Sequence, residues 1–376
     1  MLPASEEPTL AASATGMLPR SGTIEYHFLR GFADNVEQWL GHHGEFLMQY
    51  RTLGNSGLLV SPICLGTMTF GSPVPEGDAV RLIHQAIDLG INFVDTANVY
   101  EGYARYLGSP GGVAEEIVGK ALRDRRDKMI IATKVGAPVG PGPQERGLST
   151  VHILREVDRS LRRLQTDYID LYIIHWPDKH VPMETTLEAI DIALRQGKIR
   201  NFGMSNHSAW QLCEMLWIAE RQGGPRVVSS QIPFSLLRRE FEHDLPFCVK
   251  HGIGVTPYQA LQGGLLTGKY RRGQPPPDGT RAAEKPDWIW KQDDALFDRL
   301  EGIERLAGEL GVPVSQYSLS WTLSQPAMTS LVVGVKRLEQ IQDAVQAANV
   351  TIPSEHFAKV NAICPPAWRQ HDPLRG

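Results

Sequence analysis

The stretch FVDTANVY, Phe93 to Tyr100, ends an apolar run on a carboxylate, Asp95, and places a phenol five residues later. Two further apolar runs close on groups of complementary type: Lys134 in IIATKVG and His175 in LYIIHWPD. An acid, a phenol, an ammonium and an imidazole have a joint chemical use. Reducing a carbonyl by hydride requires a proton donor to the developing alkoxide. A free Tyr, with a pKa of ~10, is a sluggish donor at neutral pH. A Lys ammonium beside it stabilises the phenolate and lowers that pKa. Asp95 can pair with Lys134 and hold it. His175 can donate a hydrogen bond to the substrate oxygen or relay a proton. Each residue also has a structural reading: Asp95 as an ordinary turn or cap, Lys134 as an ion pair closing a strand, His175 as a satisfied core histidine. Tyr103 and Tyr106 are rival phenols nearby. The coincidence of four complementary groups at corresponding strand ends favours the chemical reading.

The elements must bring those ends together. From Met48 the chain alternates short apolar runs with longer segments of helical spacing. Strands are predicted at 63–65, 93–95, 129–134, 171–175, 201–204, 227–231, 254–257 and 331–334. Helices are predicted over 78–90, 111–122, 149–164, 183–198, 208–224, 240–252, 295–311 and 337–350. In the first of these Val80, Ile83, His84 and Ile87 share a face, with Gly90 as the stop; Ser149 and Ser208 are candidate N-caps. Strand and helix alternating eight times predict a closed (β/α)8 TIM barrel, whose strand C-termini open onto one mouth. An open doubly wound sheet would carry a Gly-rich dinucleotide turn after an early strand, whereas the first strand here runs into GTMTFGS. Two long loops, 102–112 and 268–290, fall at the same mouth. The second holds two Trp and five basic residues, which favours a lid over a spacer.

Composition limits the alternatives. The 376 residues are 42% hydrophobic and 21% charged, an ordinary globular balance, and the net charge of −4 gives no footing for nucleic acid or an anionic membrane. Four dispersed cysteines without a CxxC pair suggest reduced thiols in a cytoplasmic protein. The sequence shows no bilayer-length apolar run, no signal-peptide layout and no His and carboxylate set at metal-ligand spacing. Residues 1–47 lack a sustained period and are read as a poorly ordered or loosely docked extension ahead of a barrel domain over 48–376. The alternative is an upstream start assigned by mistake, since Met48 stands where the pattern begins.

The motifs YRTLGNSGLLVSPICLGTMTFG, FVDTANVY, ATKVG, RGLSTVHILREVDRSLRRLQTDYIDLYIIHWPD, GKIRNFGMSN and GGLLTGKY are long and jointly specific. Through them the chain from Met48 to about Asn349 resembles the aldo-keto reductase family. The resemblance implies a (β/α)8 barrel, NADP(H) as cofactor, and an Asp-Tyr-Lys-His tetrad falling on Asp95, Tyr100, Lys134 and His175. That set coincides with the one reached from chemistry. The resemblance also implies cofactor contacts at Gly66, Thr67 and Met68, at Asp95, at Ser205, Asn206 and Gln231 for the carboxamide, and at Tyr258 for stacking on the nicotinamide. Gln259, Leu261, Gly263 and Lys269 match the pyrophosphate loop. Gly334, Lys336, Gln340 and Asp343 match the adenosine-phosphate segment, with Arg337 adding charge at a helix start.

Four positions depart from the family pattern. Gln259-Ala260 replaces Ser-Pro, Ala344 replaces an adenine-contacting Asn, and Trp176 follows the His where many relatives carry Arg. The implied activity is NADPH-dependent reduction of a small aldehyde or ketone, reversible on the alcohol, with Tyr100 as general acid. Potassium-channel β-subunits share the fold and the RGLS…SLRRLQ segment, so a nucleotide-sensing regulatory subunit is the alternative reading.

Overall fold

The computed structural model describes residues 48–366; the extension at 1–47 lies outside the described residues. Two short strands come first, Arg51–Thr52 (β1) and Leu59–Val60 (β2), paired antiparallel. This hairpin was not read from the sequence, because two residues per strand leave no periodic pattern. It lies at the N-terminal ends of the barrel strands. Asn55 N–H donates to Gly252 O at 2.8 Å and the Tyr50 hydroxyl to Gly90 O at 2.9 Å, each just ahead of a strand. Leu53 and Val60 pack on Cys64, Phe93, Leu171 and Ile173 and fill that end of the barrel.

The eight predicted strands follow as Ile63–Gly66 (β3), Phe93–Asp95 (β4), Ile130–Val135 (β5), Leu171–Ile174 (β6), Phe202–Ser205 (β7), Ser229–Gln231 (β8), Gly254–Val255 (β9) and Leu331–Gly334 (β10). They pair in parallel in the order β10-β3-β4-β5-β6-β7-β8-β9. Bridges between Val255 and Met328 and between Tyr258 and Val332 close the sheet on itself. The chain thus forms the (β/α)8 barrel.

Strand alternation determines which side chains reach the interior. On β5, Ala132 and Lys134 point inward, while Ile131, Thr133 and Val135 face the helices. Register brings Gly66 opposite Asp95 and Lys134 opposite Ile173.

The helices are Glu76–Asp88 (α1), Val113–Leu122 (α2), Thr150–Leu164 (α3), Met183–Arg195 (α4), Ala209–Gln222 (α5), Leu245–His251 (α6), Arg281–Glu284 (α7), Asp294–Glu309 (α8), Val314–Leu323 (α9), Leu338–Ala347 (α10) and Ser354–Ile363 (α11). On α1 the buried stripe is Ala79, Leu82, Ile83 and Ala86; the predicted Val80, His84 and Ile87 flank it, half-buried. Ser149 Oγ accepts from His152 N–H at 3.4 Å, and Ser208 N–H donates to Gln211 Oε1 at 3.0 Å, so both expected N-caps stand at helix starts. Helix α9 escaped the sequence reading because it is buried on nearly every side. Its buried residues include Ser315, Ser318, Ser320 and Thr322, so no helical spacing separates a polar from an apolar face.

The two long loops meet over the barrel mouth. Tyr103 and Trp288 pack edge to face with centroids 5.5 Å apart, and Lys285 Nζ reaches Tyr103 O at 3.5 Å. Among the described residues no helix is long and apolar enough to cross a membrane.

Candidate active site

Lys134 is fully buried, and its ammonium has three donors to place. They go to Asp95 Oδ1 at 2.5 Å, to Thr96 O at 2.7 Å and to the Tyr100 hydroxyl at 3.1 Å. The second carboxylate oxygen of Asp95 accepts from Gln231 Nε2 at 2.8 Å. A buried charge pair of this kind persists only when its remaining hydrogen-bonding capacity is met, and here it is. Tyr100 arrives through a turn closed by its N–H on Ala97 O at 3.1 Å, and its carbonyl accepts from Ala114 N–H at 3.0 Å.

His175 lies one residue beyond β6, with its N–H on Val135 O at 2.9 Å. Its ring stands edge-on to Tyr100 at 5.9 Å and stacks on half-exposed Trp176, also at 5.9 Å. His175 Nδ1 is buried with no partner among the described residues. The four residues singled out by their chemistry therefore share one mouth.

The electrostatics differ in one respect from the expectation. Burial opposes the charge on Lys134, but Asp95 and Tyr100 outweigh it and lift its pKa, so it remains an ammonium. Tyr100 was expected to be lowered by Lys134. Its net direction is upward, because desolvation of the phenolate exceeds what Lys134 returns, and Asp95 opposes it as well. His175 is held well below its ordinary value by burial and then by Lys134 and Arg105, so the imidazole is neutral at pH 7. Cys64 is raised well above its ordinary value by burial, with Asp95 adding to the effect.

The residues expected to hold a nicotinamide lie against this set. Asn206 sits at φ +62° and turns its side chain into a relay. Its Nδ2 donates to His175 O at 2.9 Å and to Ser205 Oγ at 3.0 Å, while its Oδ1 accepts from the Tyr258 hydroxyl at 2.7 Å. Asn206 N–H donates to Gln231 O at 3.0 Å. Thr67 donates to Asp95 O through both N–H and Oγ1, each at 3.0 Å. At Gly66 an added Cβ would come within 3.0 Å of Val332 Cγ1, so the first strand passes close to the last. Met68 follows, half-buried, and Gly334 is exposed.

The expected phosphate side gathers separately. Gln259 is left-handed at φ +58°, and its Oε1 accepts from Arg238 Nη1 at 2.7 Å. After Leu261 come Gly263 and Gly264 at φ +64° and +100°, a bend that favours glycine. Burial lowers the Lys269 pKa, and Lys336, Arg337 and Arg281 lower it further. Lys336 Nζ is ion-paired with Glu284 and donates to Gly279 O at 3.2 Å. Gln340 Oε1 caps the start of α10, accepting from Lys336 N–H at 2.7 Å and Arg337 N–H at 3.2 Å. Asp343 Oδ1 accepts from Gln316 Nε2 at 2.9 Å, and Ala344 is buried in the core. Gln340 and Asp343 therefore each have a side-chain oxygen engaged within the chain.

Arg281, Glu284 and Lys285 belong to this cluster and were not assigned from the sequence. Their only local signal was the charge of the long loop. Arg105 was likewise missed, because its effect on His175 comes from a loop with no motif of its own.

Comparison with known proteins gives the family. A sequence model described as the Aldo/keto reductase family matches residues 62–364. The chain is 37% identical over 326 residues to the uncharacterized oxidoreductase YrpG of Bacillus subtilis, covering 85% of this chain and 96% of that protein. It is 35% identical over 311 residues to a probable voltage-gated potassium channel subunit beta of Arabidopsis thaliana, covering 81% and 92%. It is 32% identical over 335 residues to the L-glyceraldehyde 3-phosphate reductase of Escherichia coli K12, covering 86% and 94%. The chain belongs to the aldo/keto reductase family.

Proposed function

We propose that this oxidoreductase reduces an aldehyde or ketone to the alcohol with NADPH, reversibly, and that Tyr100 is the general acid. The observation that carries the reading is the buried Lys134 ammonium bonded at once to Asp95, Tyr100 and Thr96 O. Because the Tyr100 oxygen accepts from Lys134, its own proton is available to a carbonyl oxygen in the mouth. As that proton leaves, Lys134 stabilises the phenolate, and Asp95 keeps Lys134 charged and in place. Neutral His175 retains one ring N–H, which can bond the same substrate oxygen.

The residues present fit a dinucleotide phosphate. Burial first, and then the charges of Lys336, Arg337 and Arg281, depress the Lys269 pKa, an arrangement that an anion among them would relieve. Lys269, Lys336, Arg337 and Arg281 would hold the phosphates, and Ser205, Asn206, Gln231 and Tyr258 the nicotinamide end. When bound, NADPH supplies the hydride.

A relative named as a channel subunit keeps the regulatory alternative in view. One experiment separates the two: NADPH oxidation followed by absorbance across aldehydes, quinones, sugars and steroids. Steady turnover on any class supports the reductase. NADPH binding without turnover across the panel would turn the assignment to a regulatory nucleotide-binding subunit.

A further inference from the structure

Behind the barrel wall, away from the proposed cofactor residues, lies a buried series of charged and polar side chains outside the mouth. It begins at Asn98, the first central residue of the turn that Tyr100 closes on Ala97. Asn98 is fully buried, and its own N–H reaches Lys134 O only at 3.3 Å, beyond the usual range for such a bond. Its side chain supplies the firmer anchor: Nδ2 donates to Glu156 Oε2 at 3.0 Å. Glu156 is fully buried on α3, and its other oxygen accepts from Arg159 Nη1 at 2.9 Å.

Arg163 continues the chain. Its Nη2 lies 3.8 Å from Glu156 Oε2, and its Nε donates to Glu115 Oε2 at 2.6 Å. Glu115, fully buried on α2, accepts from Thr133 Oγ1 at 2.5 Å. Thr133 immediately precedes Lys134. The series Asn98–Glu156–Arg163–Glu115–Thr133 thus joins the turn that delivers Tyr100 to the strand that delivers Lys134.

Two glycines let the backbone close on this series. A Cβ on Gly111 would lie 2.2 Å from Asn98 O, and one on Gly112 would lie 2.4 Å from Arg163 Cδ. The turn that carries Tyr100 and the strand that carries Lys134 are therefore tied together outside the barrel as well as within it.

We propose that Asn98 and Glu156 are positioning residues for the reduction, holding the Tyr100 hydroxyl against Lys134 through the turn. The proposal rests on the reductase reading. A displacement of about 1 Å in a reacting group can cost on the order of 100-fold in rate.

The test compares Asn98→Ala, Glu156→Ala and Glu156→Gln in the full-length protein, with NADPH and an aldehyde the wild type reduces. Asn98→Ala is expected to lower kcat roughly 10- to 100-fold while the NADPH Kd is unchanged. The alkaline limb of its kcat–pH profile should also move, because the groups facing Tyr100, namely Lys134, Asp95, Cys64, His175 and Tyr258, would act on a displaced hydroxyl. Glu156→Gln, which still offers Asn98 an acceptor, should regain part of the kcat that Glu156→Ala loses. A merely structural role would lower Tm and leave kcat and the pH limb alone well below Tm; that result overturns the proposal. Should Asn98→Ala fail to melt cooperatively, Asn98→Ser decides by the same readouts. A wild type that binds NADPH and reduces nothing defeats the reductase reading itself. An active wild type with an unperturbed Asn98 variant defeats only this proposal.

Discussion

Lys134 Nζ donates to the Tyr100 hydroxyl at 3.1 Å, so the phenol is an acceptor toward the protein and a donor toward the mouth. Replacing Tyr100 by Phe removes the proton and little else. Carbonyl reduction is expected to fall on the order of 100- to 10,000-fold, with the NADPH dissociation constant, read by fluorescence quenching, unchanged. Wild-type turnover in Tyr100→Phe would remove Tyr100 from the mechanism.

The pH dependence follows from the same pair. With Tyr100 as the proposed acid, the rate of reduction should be flat at low pH and fall as pH rises through the phenol pKa. Burial pushes that pKa up, and Lys134 pulls it back. Lys134→Met removes the second influence. Its residual activity should be low and its alkaline limb shifted to higher pH. A limb that stays in place, or moves down, would show that Lys134 does not act through the phenol.

Stability should carry a separate histidine signature. His207 is buried against Ser205 O at 2.7 Å, and desolvation pushes its pKa down to about 4. The unfolded chain, with a His pKa of ~6.5, therefore takes up this proton first as pH falls. The stability contributed is complete above that value and is lost as pH falls toward the folded value, at up to about 1.4 kcal/mol per pH unit. His175 acts in the same direction. Denaturant unfolding of His207→Gln between about pH 6.5 and 4.5 should give a shallower slope than the wild type. Identical slopes would assign the acid sensitivity to other groups.

The parts of the site that were legible in the sequence are those where chemistry and strand period coincide. Asp95, Lys134 and His175 each follow an apolar run, so the signal that marks a strand end there also marks the polar group it carries. The β1–β2 hairpin and α9 were not legible, the first for its brevity and the second because its polar and apolar residues alike are mostly buried and show no helical spacing. Glu284 pairs with Lys336 across 52 positions, a contact that no local spacing encodes. The direction of the Tyr100 shift was misjudged for a similar reason. The neighbouring Lys is visible in the motif, whereas the depth of burial exists only once the barrel has closed around the ring.

Trp176 gives a test of substrate class. Its indole stacks on His175 at an interplanar angle of 18° and leaves its surface 50% exposed at the mouth. An aromatic carbonyl compound can stack there, where an Arg would favour an anionic one. Aromatic contacts of this kind are worth ~0.5–1.5 kcal/mol, so Trp176→Ala should raise KM for an aromatic aldehyde roughly 2- to 10-fold. KM for a short aliphatic aldehyde should barely move. Equal changes in both would mean that the indole only shields His175.

Cofactor choice is proposed to depend on the Lys336–Glu284 pair. NADP and NAD differ by a 2′-phosphate, so discrimination must come from groups near it. Lys336 is the proposed partner, and here its ammonium is held by Glu284. A charge-assisted contact to phosphate is worth ~1.5–3 kcal/mol, or roughly 10- to 100-fold in affinity. Lys336→Ala should therefore weaken NADPH far more than NADH. Glu284→Gln should act in the opposite sense, because the phosphate no longer competes with a carboxylate for the same ammonium. Dissociation constants of both cofactors for the wild type and the two variants decide the matter. Equal losses for NADPH and NADH in Lys336→Ala, or a wild-type preference for NADH, would mean that the phosphate binds elsewhere. A Glu284→Gln protein with unchanged NADPH affinity would mean that Glu284 and the phosphate share Lys336 without competing.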